Sequence, residues 1–238
     1  LPHAEKTNLQ NSDESPQKSK NFFSEFAEIF LSFFTQKNIV ACILFLLLYR
    51  LGESQIVKIA SLFLLDSQEK GGLALTTEQV GFVYGTLGVV ALTTGGIIGA
   101  FLAAKHGLRK WIWIMAIAIN LPDLLYVWLA WQIPDNFKLI CIFVVIEQFG
   151  YGLGFTGYML YMVYFVENSC YKTAHYAIMT GFMALGMMIP GMFSGEIQEI
   201  LGYKYFFIWV IIATIPGFAI IPFLNISPDF GRRKQVKT

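Results

Sequence analysis

The amino-acid sequence predicts an all-α membrane protein with six transmembrane helices. Three observations lead there. Hydrophobic residues make up 55% of the 238-residue chain and charged ones only 14%, against about 25% charged in ordinary soluble domains; a single core could not hide so much apolar side chain. The apolar residues gather in blocks of about twenty or more, enough to cross a hydrocarbon layer of about 30 Å at 1.5 Å per residue. Within lipid, a helix satisfies its backbone polar groups inside its own segment, so each block is expected to be helical.

The chain opens with LPHAEKTNLQNSDESPQKSK, residues 1–20, polar throughout and expected to be a disordered linker or tail. It begins with Leu1 and not Met, as a cut chain or the later part of a longer one would. Residues 21–36 read NFFSEFAEIFLSFFTQ. Phe22, Phe23, Phe26, Ile29, Phe30 and Phe33 recur three and four apart, with Ser24, Glu25 and Glu28 off that face. That spacing predicts an amphipathic helix lying in the membrane interface or packed beneath the bundle.

The six-helix bundle is expected over residues 37–225, with spans at 39–65, 80–103, 111–131, 137–166, 174–194 and 205–224. Thr76 followed by Gln79 forms a capping-box start for the second span, and Pro134 and Asp135 separate the third from the fourth. Residues 226–238, with Arg232, Arg233, Lys234 and Lys237, are expected to be a basic cytoplasmic tail.

Basic residues orient the bundle. Lys6, Lys18, Lys20, Lys37, Lys105, Arg109, Lys110, Lys172 and the four basic tail residues would share one side, and Lys70, Lys138 and Lys204 the other. Twelve against three puts both termini in the cytoplasm, as an even number of crossings requires.

Composition also excludes. A net charge of +1 gives no case for a nucleic-acid partner. Cys42, Cys141 and Cys170, like His3, His106 and His175, are scattered without metal-ligand spacing, so neither a metal nor a disulfide is expected. The spans hold no nucleophile–base set, so no catalytic residues and no cofactor are expected. Gly152, Gly154 and Gly157 spell G-x-G-x-x-G, but mid-span and with no preceding strand, so the dinucleotide reading fails its structural condition. Gly81 with Gly85, Gly95 with Gly99, and Gly191 with Gly195 beside Pro190 are four apart, the spacing that lets membrane helices approach closely.

The opening span raises the functional question. LLLYRLGESQIVKIAS, residues 46–61, holds Arg50, Glu53 and Lys58 in its middle, while Asp123 and Glu147 lie within the third and fourth spans. A charge at the centre of a membrane helix costs about 2.5–3.5 kcal/mol, whereas each strongly apolar residue returns about 0.3–0.6 kcal/mol. At 100° per residue, Arg50, Glu53, Ser54, Lys58 and Ser61 fall within a sector of about 140°. Glu147, Tyr151, Gly154, Tyr158 and Tyr161 form a second, narrower stripe. Two such faces predict a shared hydrated pathway. The competing expectation is buried Arg50–Glu53 and Lys58–Glu147 pairs, with the tyrosines as packing.

Taken in threes the spans rhyme, with charges in the first and fourth and paired glycines in the second and fifth. This 3+3 pattern resembles the inverted repeat within each half of major facilitator superfamily transporters, and AAKHGLRK after the second span resembles that superfamily's loop signature. YRLGE (residues 49–53), TTEQVGFVYGTLG, Glu147-Gln148 before a glycine-rich stretch and ATIPG together resemble the AmpG-type muropeptide permeases and their peptide–acetyl-coenzyme A transporter relatives. That family commonly has Lys at the position of Arg50 and Asp at that of Glu53.

The resemblance covers about residues 21–225 and implies the C-terminal half of a twelve-span, proton-driven importer of cell-wall muropeptides in a bacterial inner membrane. Its partners would be lipid, solute, protons and an N-terminal six-helix half. Arg50 and Lys58 would attract an anionic solute, with Gln148 beside them. Glu53, Asp123 or Glu147 would carry the proton, and Tyr151, Tyr158 and Tyr161 would face sugar rings. Acetyl-coenzyme A transport, or a self-contained six-span scaffold, signalling subunit or intramembrane enzyme, are the other classes the sequence leaves open.

Overall fold

Backbone groups in these apolar segments have partners only within their own helices, and all regular structure among the described residues is helical. The computed structural model describes residues 22–231; the linker expected over residues 1–20 and the basic cluster at 232–237 lie outside the described residues. The elements are α1 (Phe22–Phe34), α2 (Ile39–Leu48), α3 (Leu51–Leu65), α4 (Thr77–Phe82), a π-wound segment (Val83–Gly88), α5 (Val89–His106), α6 (Leu108–Asn120), α7 (Asp123–Gln132), α8 (Phe137–Val166) and α9 (Lys172–Ile220). Among the described residues, five continuous stretches are long and apolar enough to cross a membrane: Ile39–Leu65, Thr77–His106, Leu108–Gln132, Phe137–Val166 and Lys172–Phe223.

The expected starts and stops have visible causes. The Thr76 hydroxyl accepts from Gln79 N–H and the Gln79 side chain accepts from Thr76 N–H, closing the capping box. Asn136 caps α8 by accepting from the N–H groups of Lys138 and Leu139. Three stretches are interrupted within. Arg50 leaves the helical region (φ −109°, ψ 22°) between α2 and α3. Pro122, which has no N–H to give, separates α6 from α7. Gly202 (φ 67°, ψ 165°) breaks α9 in a conformation that glycine adopts at little cost.

The last break reverses the chain. In a straight helix Gly186 and Gly217 would lie about 46 Å apart. Both nevertheless press on the same turn of α2: a Cβ at Gly186 would come 2.9 Å from Leu46 O, and one at Gly217 would come 2.9 Å from Leu48 O. The segments expected at 174–194 and 205–224 are therefore the two arms of α9, folded back at Gly202.

The largest helix contacts are α5 on α8, α3 on α9 and α6 on α8. Glycine makes the first possible, since an added Cβ at Gly95 would collide with the Phe149 carbonyl and one at Gly152 with that of Leu92. G-x-G-x-x-G is thus a packing surface: Gly154 and Gly157 give the same room to Ile119 and Met115 of α6. The other spacings do less. Gly81, Gly85 and Gly195 have no neighbour near where a Cβ would stand, so only one member of the Gly191–Gly195 pair, Gly191 against Ser54 and Lys58, makes a close approach.

Both ends of the described chain meet the bundle in part. Helix α1 docks only by its last turns, with Phe33 buried against Phe165 and Phe182, while Phe23 (82% exposed) and Phe26 (60%) face outward. Residues 226–231, the described part of the expected basic cytoplasmic tail, fold onto the bundle. Ile226 is buried, Phe230 O accepts from Leu108 N–H at 3.1 Å, and the Tyr164 hydroxyl joins Asn225 O (2.7 Å) to Ser227 N–H (3.0 Å).

Candidate functional site

The bundle has two apolar cores, stacked end to end. One is built around Phe45, Tyr49, Met115, Ile119, Tyr158 and Met162, the other around Phe63, Tyr126, Val144, Phe206 and Val210. Between them runs a polar seam. Along the first crossing it falls between Tyr49 and Ile56 and holds Arg50, Glu53, Ser54 and Gln55. Along the third it falls between Ile119 and Tyr126 and holds Asn120 and Asp123; along α8 it holds Glu147, and on the two arms of α9 Ser194 and Thr214. Among the described residues, nine of the ten buried polar ones lie in this layer, His175 being the exception.

Arg50 occupies the break in the first crossing, only 5% exposed. Its Nη2 donates to the Tyr151 hydroxyl at 2.6 Å, and its Cζ lies 5.2 Å from the Tyr151 ring centroid and 4.8 Å from that of Phe155. Those two rings stack at 5.9 Å and 18°. Arg50 Nε has no hydrogen-bond partner. The guanidinium is therefore held by aromatic faces, an interaction worth about 0.5–2 kcal/mol, with a donor left over.

The carboxylates are similarly open. Both oxygens of Glu53 and both of Asp123 are buried without a hydrogen-bond partner. Glu147 is better supported: Gln148 Nε2 reaches its two oxygens at 3.0 and 3.2 Å and the Tyr126 hydroxyl donates at 3.4 Å. Tyr126 in turn shares a 2.7 Å hydrogen bond with Tyr84 from the π segment. Glu53 acts electrostatically on both Asp123 and Glu147. Carboxylates that share a buried layer repel one another, so a proton taken up by one relieves the others.

The sequence-predicted residues divide. Arg50, Glu53, Asp123, Glu147, Gln148 and Tyr151 meet at the seam. Lys58 does not: it is exposed, and its stem packs on Gly191 of α9, so neither a Lys58–Glu147 pair nor convergence of Lys58 on the cluster is observed. The Arg50–Glu53 hydrogen-bonded pair is absent too, since both Glu53 oxygens are unpartnered. Tyr158 and Tyr161 are buried in the apolar core against Phe45, at ring distances of 5.4 and 4.6 Å, away from the seam, and Tyr161 also borders the cavity beside α1. Tyr158 instead donates to Leu46 O (2.8 Å), one turn before the break, while Tyr49, beside the break, donates to Gly154 O of α8 (3.2 Å).

Sequence reasoning missed Phe155, Tyr126 and Tyr84. Phe155 stands four residues after Tyr151 and Tyr126 three after Asp123, spacings that share a helix face; Tyr84 depends on the π winding and gave no signal. A cavity of about 750 Å³ lies elsewhere, where α1 meets the α8–α9 connection, lined by Gln36, Lys37, Tyr161, Tyr164, Asn168 and His175 among others.

Helices of this length around buried charges define a multi-pass membrane protein. Several of its relatives are named putative transporters. The chain is 27% identical over 199 residues to "Putative transporter AmpG 4" of Rickettsia felis, covering 82% of this chain and 45% of that protein. It is 28% identical over 204 residues to "Putative transporter AmpG 2" of Rickettsia typhi, covering 86% and 48%, and 25% identical over 218 residues to "Putative transporter AmpG 1" of Rickettsia felis, covering 85% and 47%. The AmpG resemblance thus extends over most of the chain, which spans about half the length of the curated relatives it matches. No protein-family model matches it.

Proposed function

We propose that the chain is the C-terminal, six-crossing half of a proton-coupled transporter that imports anionic sugar-peptides of the muropeptide class. With α9 counted as two crossings, the bundle would be a 3+3 inverted repeat of a major facilitator half, set in a bacterial inner membrane with both termini cytoplasmic. An N-terminal half of the same transporter would complete the pathway.

The observation that carries this reading is Arg50 at the helix break. A discontinuous membrane helix near the bilayer centre is the usual setting of a transporter's binding site. Here the break presents a cation whose Nε is unused and whose guanidinium rests on Tyr151 and Phe155. That combination suits a carboxylate attached to a flat ring. Glu147, with Glu53 and Asp123 beside it, supplies the exchangeable proton, and Lys58 on the exposed side of α3 attracts the anion on its approach.

Proteoliposomes holding the full-length protein test the assignment. Glu147→Gln should abolish uptake of labelled muropeptide driven by a pH gradient while solute exchange without a gradient continues. Gradient-driven uptake that survives the substitution removes Glu147 from coupling; acetyl-coenzyme A or a simple sugar transported in place of muropeptide overturns the solute.

A further inference from the structure

Glu147 has two hydrogen-bonding neighbours, and both reach the π segment of the second crossing. Tyr126 links the carboxylate to Tyr84. Gln148 Nε2 bonds the carboxylate, while Gln148 Cγ lies so near Gly88 that an added Cβ there would stand 3.3 Å away. Tyr84 and Gly88 are near the start and at the end of Val83–Gly88. The two supports of one buried acid therefore grip both ends of one irregular turn.

That turn has no local cause. VYGTLG contains no proline, and Gly85 has open space around it. Its π character is plain in the bond from Val89 N–H to Tyr84 O, five residues back. The buried positions show the consequence. Val80 and Val83 are three apart and Gly88, Ala91, Gly95 and Gly99 three or four apart, but Val83 to Gly88 is a step of five. The winding turns α4 relative to α5 and carries Tyr84 inward to Tyr126. Such turns are rare and occur often at functional sites.

We propose that the Val83–Gly88 turn senses the charge on Glu147. While the carboxylate is ionised, Tyr126 and Gln148 donate to it and hold the π winding through Tyr84 and Gly88. Protonation converts one acceptor oxygen into a hydroxyl donor, redirects the Tyr126 hydrogen bond, and lets the turn relax toward ordinary α-helix, rotating α4 against α5. The groups facing Glu147 are Glu53 from α3, Asp123 and Tyr126 from α7, Tyr84 from the turn itself and Tyr151 of α8, with Arg50 next to Glu53. The proposal deepens the coupling role of Glu147 and rests on it for its meaning in transport, but the conformational link can be read without any solute.

Amide hydrogen exchange of the full-length protein in lipid nanodiscs, followed over a pH series and divided by intrinsic exchange rates, tests it. Protection of residues 83–88 should change about tenfold across the series in the wild type, the factor for one charge-assisted hydrogen bond. It should stay flat in Glu147→Gln and in Tyr126→Phe. Tyr84→Phe, which leaves the Tyr126–Glu147 bond in place, should flatten it as well, and α5 residues 93–103 should not respond in any variant. A flat wild-type profile, or a pH response surviving in Glu147→Gln, overturns the proposal. Coupled uptake lost in Glu147→Gln while the exchange response survives sinks the sensor and leaves the coupling role; the opposite pairing keeps the sensor and sinks the coupling role.

Discussion

Arg50 Nη2 donates a 2.6 Å hydrogen bond to the Tyr151 hydroxyl, joining the break in the first crossing to the middle of α8. The plane of the guanidinium matters to this contact as much as its charge, because Cζ also lies within 5.2 Å of the Tyr151 ring and 4.8 Å of the Phe155 ring. Lysine offers a point charge and no planar fork. Arg50→Lys should therefore raise the KM for muropeptide uptake about tenfold, the loss of roughly 1.4 kcal/mol expected for a desolvated cation–π contact, with insertion unchanged. Arg50→Lys uptake indistinguishable from wild type would show that the stacking has no part in recognition.

The glycine pairs give a contrast within one residue type. At Gly154 a Cβ would collide with Ile119 of α6, whereas at Gly195 nothing stands within 4 Å. Gly154→Ala should destabilise the bundle by about 1–3 kcal/mol, the range for overpacking a filled interior. Gly195→Ala should be neutral or slightly stabilising, since alanine is favoured over glycine in a helix by about 1 kcal/mol. Thermal unfolding of the two variants in detergent would check the pair, and equal melting temperatures would contradict the packing described.

Much of this was legible in the sequence because length and polarity dominate it. The first and fourth crossings, 39–65 and 137–166, coincide with the apolar stretches observed. Burial of Arg50, Glu53, Asp123 and Glu147 follows from the cost of leaving such groups in lipid. What periodicity could not supply was the direction of each face. Glu53 and Lys58 both lie on unbroken α3, five residues and so about 140° apart at the two edges of that sector, and the helix turns only the Glu53 edge inward. Tyr158 and Tyr161 keep the register of Glu147 along α8, but they lie beyond the seam in the apolar core, where register says nothing of depth. Gly202 shows another limit: the spans expected at 174–194 and 205–224 leave a connection between them, but its single-residue turn at Gly202 is a feature of the backbone alone.

The helix break itself invites a test. Tyr158 donates to Leu46 O at 2.8 Å, and both groups are buried. Removing the hydroxyl leaves that carbonyl without this donor in an apolar core, at a cost of about 1–3 kcal/mol. Tyr158→Phe should lower thermal stability accordingly. Tyr164→Phe, whose hydroxyl bonds the chain near Asn225 at the exposed end of the bundle, should cost less. The order of the two melting temperatures is the measurement, and a Tyr164→Phe variant less stable than Tyr158→Phe would reverse the assignment.

His175 fastens α1 to the bundle. It is 2% exposed, and one neutral tautomer satisfies its surroundings: Nε2–H faces Ile29 O (3.2 Å) and Ser32 Oγ (3.0 Å), while Nδ1 accepts from Ser169 Oγ (2.7 Å) and the Gln36 amide. Three of those four partners belong to α1 or the turn just after it. The remaining hold on α1 is modest, since its first turns are exposed and Phe33 is its fully buried anchor. His175→Phe keeps a ring of comparable size against Phe33, 5.6 Å away, but deletes the hydrogen bonds. Limited proteolysis and amide exchange across residues 22–36 should then accelerate about tenfold or more, the factor for losing roughly 1.5 kcal/mol of hydrogen bonding. The crossings themselves should keep their protection, because the two apolar cores are untouched. Unchanged exchange in α1 would mean that Phe33 alone holds the helix in place.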